Sequence, residues 1–280
     1  MPGIHAGPDP CSCRVDMPHT TLRGWLRDNR FLLVFAVLAS VMGTSVGTAK
    51  IVVSLYALHL GANEAQLGLI AAGQVVGTLV MSVPVGVLVD HHGPARLFVI
   101  GSVLAGLAYA TIPLVAHPAF LLGAVIAVSF FMPLRFVSLN TVFFTQIRTL
   151  GEHKAGWYRG THMTGMHLVG PSVAVALIAW LGWAGAWWAI AASFAATVAL
   201  SPIVFGRYAP PPRRGPRPGW RETRADIAAV WRDPELRQVN LIDFSSQATQ
   251  AFHATFVVAV ALMTGMALAG FALAWWRKWL

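Results

Sequence analysis

Seven apolar runs follow one another along this 280-residue chain, at 31–60, 67–89, 97–115, 119–144, 162–180, 187–205 and 241–263. As helix, at about 1.5 Å per residue, each is about long enough to cross some 30 Å of hydrocarbon. Backbone polar groups inside lipid must be satisfied internally, so only helices or a closed barrel can span, and barrel strands are alternating segments of about ten residues. The runs are too long and too uniformly apolar for that. The expected fold is all-α, a polytopic transmembrane helical bundle set in a lipid bilayer. Composition agrees: 56% of residues are hydrophobic and 11% charged, with a mean hydropathy of +0.62, which excludes an ordinary soluble domain.

Polar or turn-prone joints separate the runs at 61–66, 90–96, 117–118, 151–159 and 181–186. Asn63 followed by Gln66 has the spacing of a capping box opening the second helix. The net charge of +9 raises the question of nucleic acid, but its distribution assigns it to topology. Basic residues gather in the N-terminal tail (Arg14, Arg23, Arg27, Arg30), the second joint (Arg96), the fourth (Arg148, Lys154, Arg159) and the long sixth connection from Arg207 to Arg237. The alternate joints, around Ala62, His117 and Ala184, carry no Lys or Arg. This is the positive-inside pattern over six crossings; it places the N-terminus in the cytoplasm and the protein in a bacterial-type inner (plasma) membrane. No nucleic-acid partner is expected. Trp180, Trp183, Trp187 and Trp188 cluster at one outer joint, where aromatic rings sit at the headgroup level.

The segment 1–30 is polar and holds Pro2, Pro8, Pro10 and Pro18, with no short apolar core and small-residue cleavage site, so a cytoplasmic tail without a secretory signal is expected. Met17 is an alternative start. Cys11 and Cys13 in that tail are expected to be reduced and unstructured rather than a metal site. The six-helix block spans 31–206. A linker at 207–240 interleaves Pro210, Pro211, Pro212, Pro216 and Pro218 with arginines, and then carries Ile227, Val230 and Trp231 on one helical stripe, as a surface-lying amphipathic helix does. Gly43-Thr44-Ser45-Val46-Gly47 matches the Gly-x-Ser-x-Gly spacing of serine hydrolases, yet that elbow needs a strand-turn-helix and this one sits inside an apolar run. Glycines four apart there, and at Gly73 and Gly77, suit close helix contact instead. Zinc-protease, P-loop and dinucleotide motifs are absent. Neither an enzyme nor a cofactor or metal is expected.

Between the second and third runs the chain reads Gly86-Val-Leu-Val-Asp90-His91-His92-Gly93-Pro94-Ala95-Arg96. It resembles the loop between helices 2 and 3 of the major facilitator superfamily: Gly, three residues, Asp, a base, any residue, Gly, then bases. Gly86, Asp90 and Gly93 match; His91 replaces the usual base, and only Arg96 remains of the bases that follow. Gly165-Met-His-Leu-Val-Gly170-Pro171 is similar to the glycine-proline motif of the superfamily's drug and proton antiporters, with Ala174 and Val175 where paired glycines stand. The Arg-Gln-Gly pattern of the fourth helix is missing, since Arg135 is followed by Phe136, Val137, Ser138 and Leu139. The resemblance implies a secondary active transporter of a small solute, proton-coupled, with efflux favoured over uptake. It implies that Asp90 caps a helix of the second half and latches one conformation, as suits an anion at a positive helix terminus. It implies that Gly165, Gly170 and Pro171 let the fifth helix pack closely and bend.

The same resemblance makes residues 241–280 a seventh helix and an incomplete eighth, because 266–276 is about half a span and is followed by Arg277-Lys278. A truncated or frameshifted twelve-helix transporter is the expectation. The alternative is a non-transporting half, either a partner subunit or a remnant. Alternating access needs two halves, so a separately encoded second half or a homodimer is the corresponding partner.

Arg135 falls about ten residues from either end of its span and Lys50 about ten residues before the Gly61 turn, so both are expected near mid-membrane, where an unpaired cation costs roughly 3 kcal/mol or more. The acids Glu64, Asp90 and Glu152 belong to joints, and Asp243 is the only acid within a run. This predicts a central cavity lined by Lys50 and Arg135 that favours an anionic or carboxylate-bearing solute, with Asp243 as a gate partner. The other reading is snorkelling or helix pairing. Asn140 and His167, together with His162, Gln74, Thr141, Ser172 and Gln247, are candidates for polar contacts in the cavity or equally for helix–helix hydrogen bonds. Imidazole as a group titrates near neutral pH, which makes His167 a candidate for proton coupling.

Overall fold

The computed structural model describes residues 29–150 and 155–211, together with 232–235, 237–238, 241–242 and 245. Cys11, Cys13, the stripe at 227–231, Asp243, Gln247 and the apolar stretch 246–280 lie outside the described residues. The elements are α1 (Arg30–His59), α2 (Glu64–His92), α3 (Pro94–Thr111) followed by a 3₁₀ turn (Ile112–Leu114), α4 (Pro118–Leu150), α5 (Ala155–Thr164) followed by a π turn (Gly165–Val169), and α6 (Gly170–Tyr208). Five stretches are long and apolar enough to cross a membrane, the last being Arg159–Tyr208.

That last stretch has 50 residues. As one rod it would measure about 75 Å, more than twice the hydrocarbon thickness. It breaks at Gly182, whose φ of 68° and ψ of −174° only glycine adopts without strain. Contacts with α1 prove the reversal. Before the break, Ala39 meets His162 and Thr48 meets Gly170, so the two chains run parallel. Beyond it, Tyr56 meets Trp183 while Phe31 meets Tyr208 at the other end, so they run antiparallel. The stretch is therefore two crossings, the fifth up to 181 and the sixth from 183, and six crossings are described.

Helix limits follow local chemistry. The Asn63 side chain accepts the Gln66 N–H at 2.8 Å and the Gln66 side chain accepts the Asn63 N–H at 3.0 Å, so α2 opens at Glu64, ahead of the apolar run. The anticipated charged joint at 90–96 shrinks to one residue. Gly93, at φ 82°, separates α2 from α3, and Pro94 starts α3, where its missing N–H costs nothing. The fifth crossing begins at Ala155 rather than 162, carrying Arg159 into helix. Pro84 and Pro133 lie within helices without ending them.

The crossings pair as one with five, one with six, two with four, three with four, and three with six. Exchanging one with four, two with five and three with six maps this set onto itself. The block is thus two three-helix units that start on opposite sides of the membrane, an inverted repeat. Small residues set the spacing. A Cβ on Gly43 or Gly47 would strike the backbone of His162 or Met166 in the fifth crossing, and one on Gly77 would strike Ser129 and Phe130 in α4. The close approach also lets the Gly77 N–H donate to the Ser129 hydroxyl oxygen at 2.9 Å.

The core holds Phe35, Met42, Val52, Phe98, Leu139, Trp187 and Phe194, all buried. Leu69, Val75, Val76, Leu79 and Val80 on α2 are exposed, a row that needs lipid or another helix rather than water over it. The tryptophan belt is smaller than the sequence suggested. Trp180 and Trp188 face outward, whereas Trp187 is fully buried and Trp183 stacks on His59 with ring centroids 4.7 Å apart.

Candidate functional site

Three elements meet around His162. Its Nδ1 lies 3.2 Å from the Ala39 carbonyl oxygen of α1, and the Phe136 ring of α4 packs edge-on against it at 5.4 Å. Lys50 stands on α1 just past Gly43 and Gly47 and is half-buried. Its backbone oxygen accepts the Ser54 hydroxyl at 3.1 Å, but among the described residues no carboxylate or hydrogen-bond acceptor engages its ammonium. His162 and His167 of the fifth crossing are the titratable groups that feel its charge. Asn140 lies one turn beyond Phe136 on α4 and is half-buried, and His167 is exposed. Lys50, Asn140 and His167 all retain accessible surface, but only two of them share a level: the approach of Gly47 to Met166 sets His167 beside Lys50, whereas the Phe35–Phe143 contact puts Asn140 level with Leu38, about 18 Å from Lys50 along α1.

His167 owes its position to the π turn. The Gly170 N–H reaches back five residues to the Gly165 carbonyl oxygen. Pro171 has no N–H, and in a regular helix its ring would press on the carbonyl of residue 167; one wider turn relieves that conflict. π turns of this kind recur at functional sites. The two glycines flanking the turn serve packing. A Cβ on Gly165 would come within 2.5 Å of the Ser40 oxygen, and one on Gly170 within 2.8 Å of the Gly47 Cα. The Thr48 hydroxyl then donates to the Gly170 oxygen at 3.1 Å.

Arg135 is placed elsewhere. It is 0% exposed, inside the bundle between α3, α4 and the sixth crossing. One Nη donates to Thr197 Oγ1 at 3.1 Å, and the guanidinium carbon lies 4.0 Å from the Phe194 ring centroid and 5.7 Å from that of Phe98. The structure therefore does not bring Arg135 onto the open face that carries Lys50. Its aromatic and hydroxyl partners sit some 40 to 60 residues away, and no local spacing signals them.

Gly86 and Asp90 belong to the last turns of α2, not to a loop, and Arg96 to the first turn of α3. Asp90 and Arg96 are exposed. A Cβ on Gly86 would meet nothing within 4 Å among the described residues. Asp90 stands at the C-terminal end of its own helix, where the macrodipole disfavours an anion. His91, His92, Gly93 and Arg96 border a depression closed on its far side by Ala209, Pro210 and Pro211. Ser45 of the hydrolase-like spacing is helical and donates to the Val41 oxygen at 2.8 Å, so it forms no elbow.

An inverted pair of three-helix units, long apolar helices and an interior cation on an open face define an integral membrane protein of the polytopic helical class. The family model of the Major Facilitator Superfamily matches residues 33–277. The chain belongs to that superfamily, and it is a transporter type rather than an enzyme type. Comparison with curated proteins gave no match.

Proposed function

We propose that the chain contributes to proton-coupled secondary transport of a small anionic or carboxylate-bearing solute, with export as the favoured direction. The observation that carries this reading is Lys50, an ammonium in the middle of α1 that no acid neutralises among the described residues. A cation kept at that depth against a cost of about 3 kcal/mol reads as functional, and an anionic solute supplies the missing charge. His167 adds hydrogen-bonding capacity beside it and is the group for proton exchange, while Asn140 offers its amide further along the same cavity. Arg135 supports the site from within the bundle, and Asp243 is its gate partner. Gly165, Gly170 and Pro171 form the bend on which the fifth crossing moves. Asp90, with Gly86, Gly93 and Arg96, latches one conformation against a helix N-terminus of a second half, an arrangement favoured by its poor electrostatic position on its own helix. That second half is supplied by further chain, a separate subunit or a second copy.

The test is Lys50→Gln in proteoliposomes under an imposed pH gradient, offered a panel of radiolabelled mono- and dicarboxylates beside neutral and cationic solutes. The wild type is expected to move at least one carboxylate, and the variant to move it at least tenfold more slowly, since one lost charged contact is worth about 1.5–3 kcal/mol. Equal rates, or transport confined to neutral or cationic solutes, overturn the reading.

The proposed orientation has its own check. With Cys11 and Cys13 replaced by Ser, a cysteine introduced by Ala184→Cys is expected to react with an impermeant maleimide on intact cells. Ala184 is exposed, close to the Gly182 reversal that joins the fifth and sixth crossings. Reaction only after lysis would reverse the topology.

A further inference from the structure

Among the described residues, no acid supplies a counter-charge to the buried Arg135. Arg135 is 0% exposed, and its Nε–H finds no hydrogen-bond partner. Two hydroxyls close by share that condition. Ser102 and Ser138 are each 0% exposed, and each Oγ is buried without a partner. Ser138 follows Arg135 by three residues on α4, hence on the same face. Ser102 adjoins Gly101, from whose Cβ position the Arg135 Cγ is only 3.3 Å away, and Phe98, one turn before it on α3, lies beneath the guanidinium. Of the nine buried polar or charged residues, the three with an unsatisfied polar atom are thus Arg135, Ser102 next to its packing neighbour Gly101, and Ser138 on its own helix face.

What is present does not balance the cation. The Thr197 hydroxyl accepts one N–H, the Met132 Sδ weakly accepts another at 4.0 Å, and the Phe194 face supplies a cation–π contact of about 2 kcal/mol when desolvated. The ionisable groups that feel Arg135 are Tyr109, a phenol that is neutral at physiological pH, and His162, and neither supplies a negative charge. No carboxylate among the described residues lies against it. Every orphan here except the serine lone pairs is a donor, so the missing species is an acceptor, and the uncompensated charge asks for a negative one. Full enclosure limits its size.

We propose that Arg135, Ser102 and Ser138 form a structural site for a small monovalent inorganic anion of the chloride class, held between α3, α4 and the sixth crossing. The bound anion fixes these three helices relative to one another and is distinct from the solute transported past Lys50. Arg135 Nε and the two hydroxyls donate to it, and the phenylalanine faces of the cluster exclude water.

The purified full chain in detergent tests this by thermal melting during a chloride titration, with gluconate replacing chloride at constant ionic strength. A saturable rise of the melting temperature is expected with chloride and bromide and not with sulfate, a larger and doubly charged ion. Arg135→Gln should abolish the anion-specific rise. Ser102→Ala and Ser138→Ala should each raise the half-saturating concentration about tenfold, as loss of one hydrogen bond to a charged group does. No difference between chloride and gluconate in the wild type overturns the proposal and leaves water as the occupant. So does an undiminished rise in Arg135→Gln. Where Arg135→Gln yields no folded protein, the serine variants decide, and unchanged half-saturation in both overturns it. Because the readout is stability rather than flux, failure here leaves the Lys50 reading untouched, and failure of Lys50→Gln to slow transport leaves this one standing.

Discussion

Gly47→Leu is expected to leave no monodisperse protein after detergent extraction, and Gly47→Ala to lower the melting temperature severely. The reason is geometric. A Cβ at this position would overlap the Met166 carbonyl oxygen and lie 2.8 and 2.9 Å from its carbon and Cα. These are backbone atoms, which cannot rotate away as the tip of a side chain can. The only relief is to push the fifth crossing off α1. That movement would also open the Gly165 contact with Ser40, the Gly170 contact with Gly47 itself, and the Thr48 hydrogen bond to Gly170. Overpacking by even one methyl costs about 1–3 kcal/mol in a tight core, and the larger leucine multiplies the displacement. Lipid offers no hydrophobic force to press the helices back together, so packing itself holds them. The measurement is size-exclusion homogeneity and melting temperature beside Gly68→Leu and Gly123→Leu, positions where a Cβ meets nothing within 4 Å. Equal behaviour of all three variants would mean that α1 and the fifth crossing are not in backbone contact.

This glycine pattern shows what the sequence could reveal. Apolar run length is a one-dimensional property, and six of the runs mark the six described crossings. The Asn63 and Gln66 pair is a local code with a local consequence, and α2 opens where it says. Joint lengths were less legible. Residues 90–96 are polar enough to read as a loop, but helix continues through Asp90 to His92 because Gly93 alone supplies the break. Hydropathy likewise could not show that the fifth crossing starts at Ala155, because the helix carries polar residues above the membrane surface.

The candidate site was legible residue by residue but not as a constellation. Lys50 and Arg135 share chemistry and expected depth, so sequence alone assigns them one cavity. Their separation depends on helix rotation. Lys50 shares the face of α1 that Gly43 and Gly47 present to the fifth crossing, while Arg135 turns between Phe98, Phe194 and Thr197. Rotation about a helix axis is set by what packs on each side, and with nearly every neighbour apolar the amphipathic signal that normally reports it is absent. The π turn was invisible for a related reason. Pro171 announces a distortion, but whether the backbone kinks or widens is decided by the close approach of α1 at Gly165 and Gly170.

Trp187→Ala is expected to destabilise the fold by about 3–5 kcal/mol, the cost of emptying a large aromatic from a sealed core. Trp187 is 0% exposed. Its ring meets Tyr56 of α1 edge-on at 5.5 Å and stacks on Tyr109 of α3 at 5.9 Å, so it ties three crossings together one turn beyond the Gly182 reversal. Removing it leaves a cavity that neither neighbour can fill, since each is held by its own further contacts, Tyr56 on Trp183 and Tyr109 on Phe194. Trp187→Phe should lose much less. It keeps most of the ring and deletes an indole N–H that is buried with no hydrogen-bond partner, an omission that by itself recovers about 1–3 kcal/mol. Trp180→Ala, two residues before the reversal and 83% exposed, should leave the melting temperature in detergent nearly unchanged, because its ring contributes to the lipid interface rather than to helix packing. The sequence presents these tryptophans as equals in one cluster. Thermal melting of the three variants separates them, and a loss for Trp180→Ala as large as that for Trp187→Ala would show that the end of the fifth crossing is turned the other way about its axis.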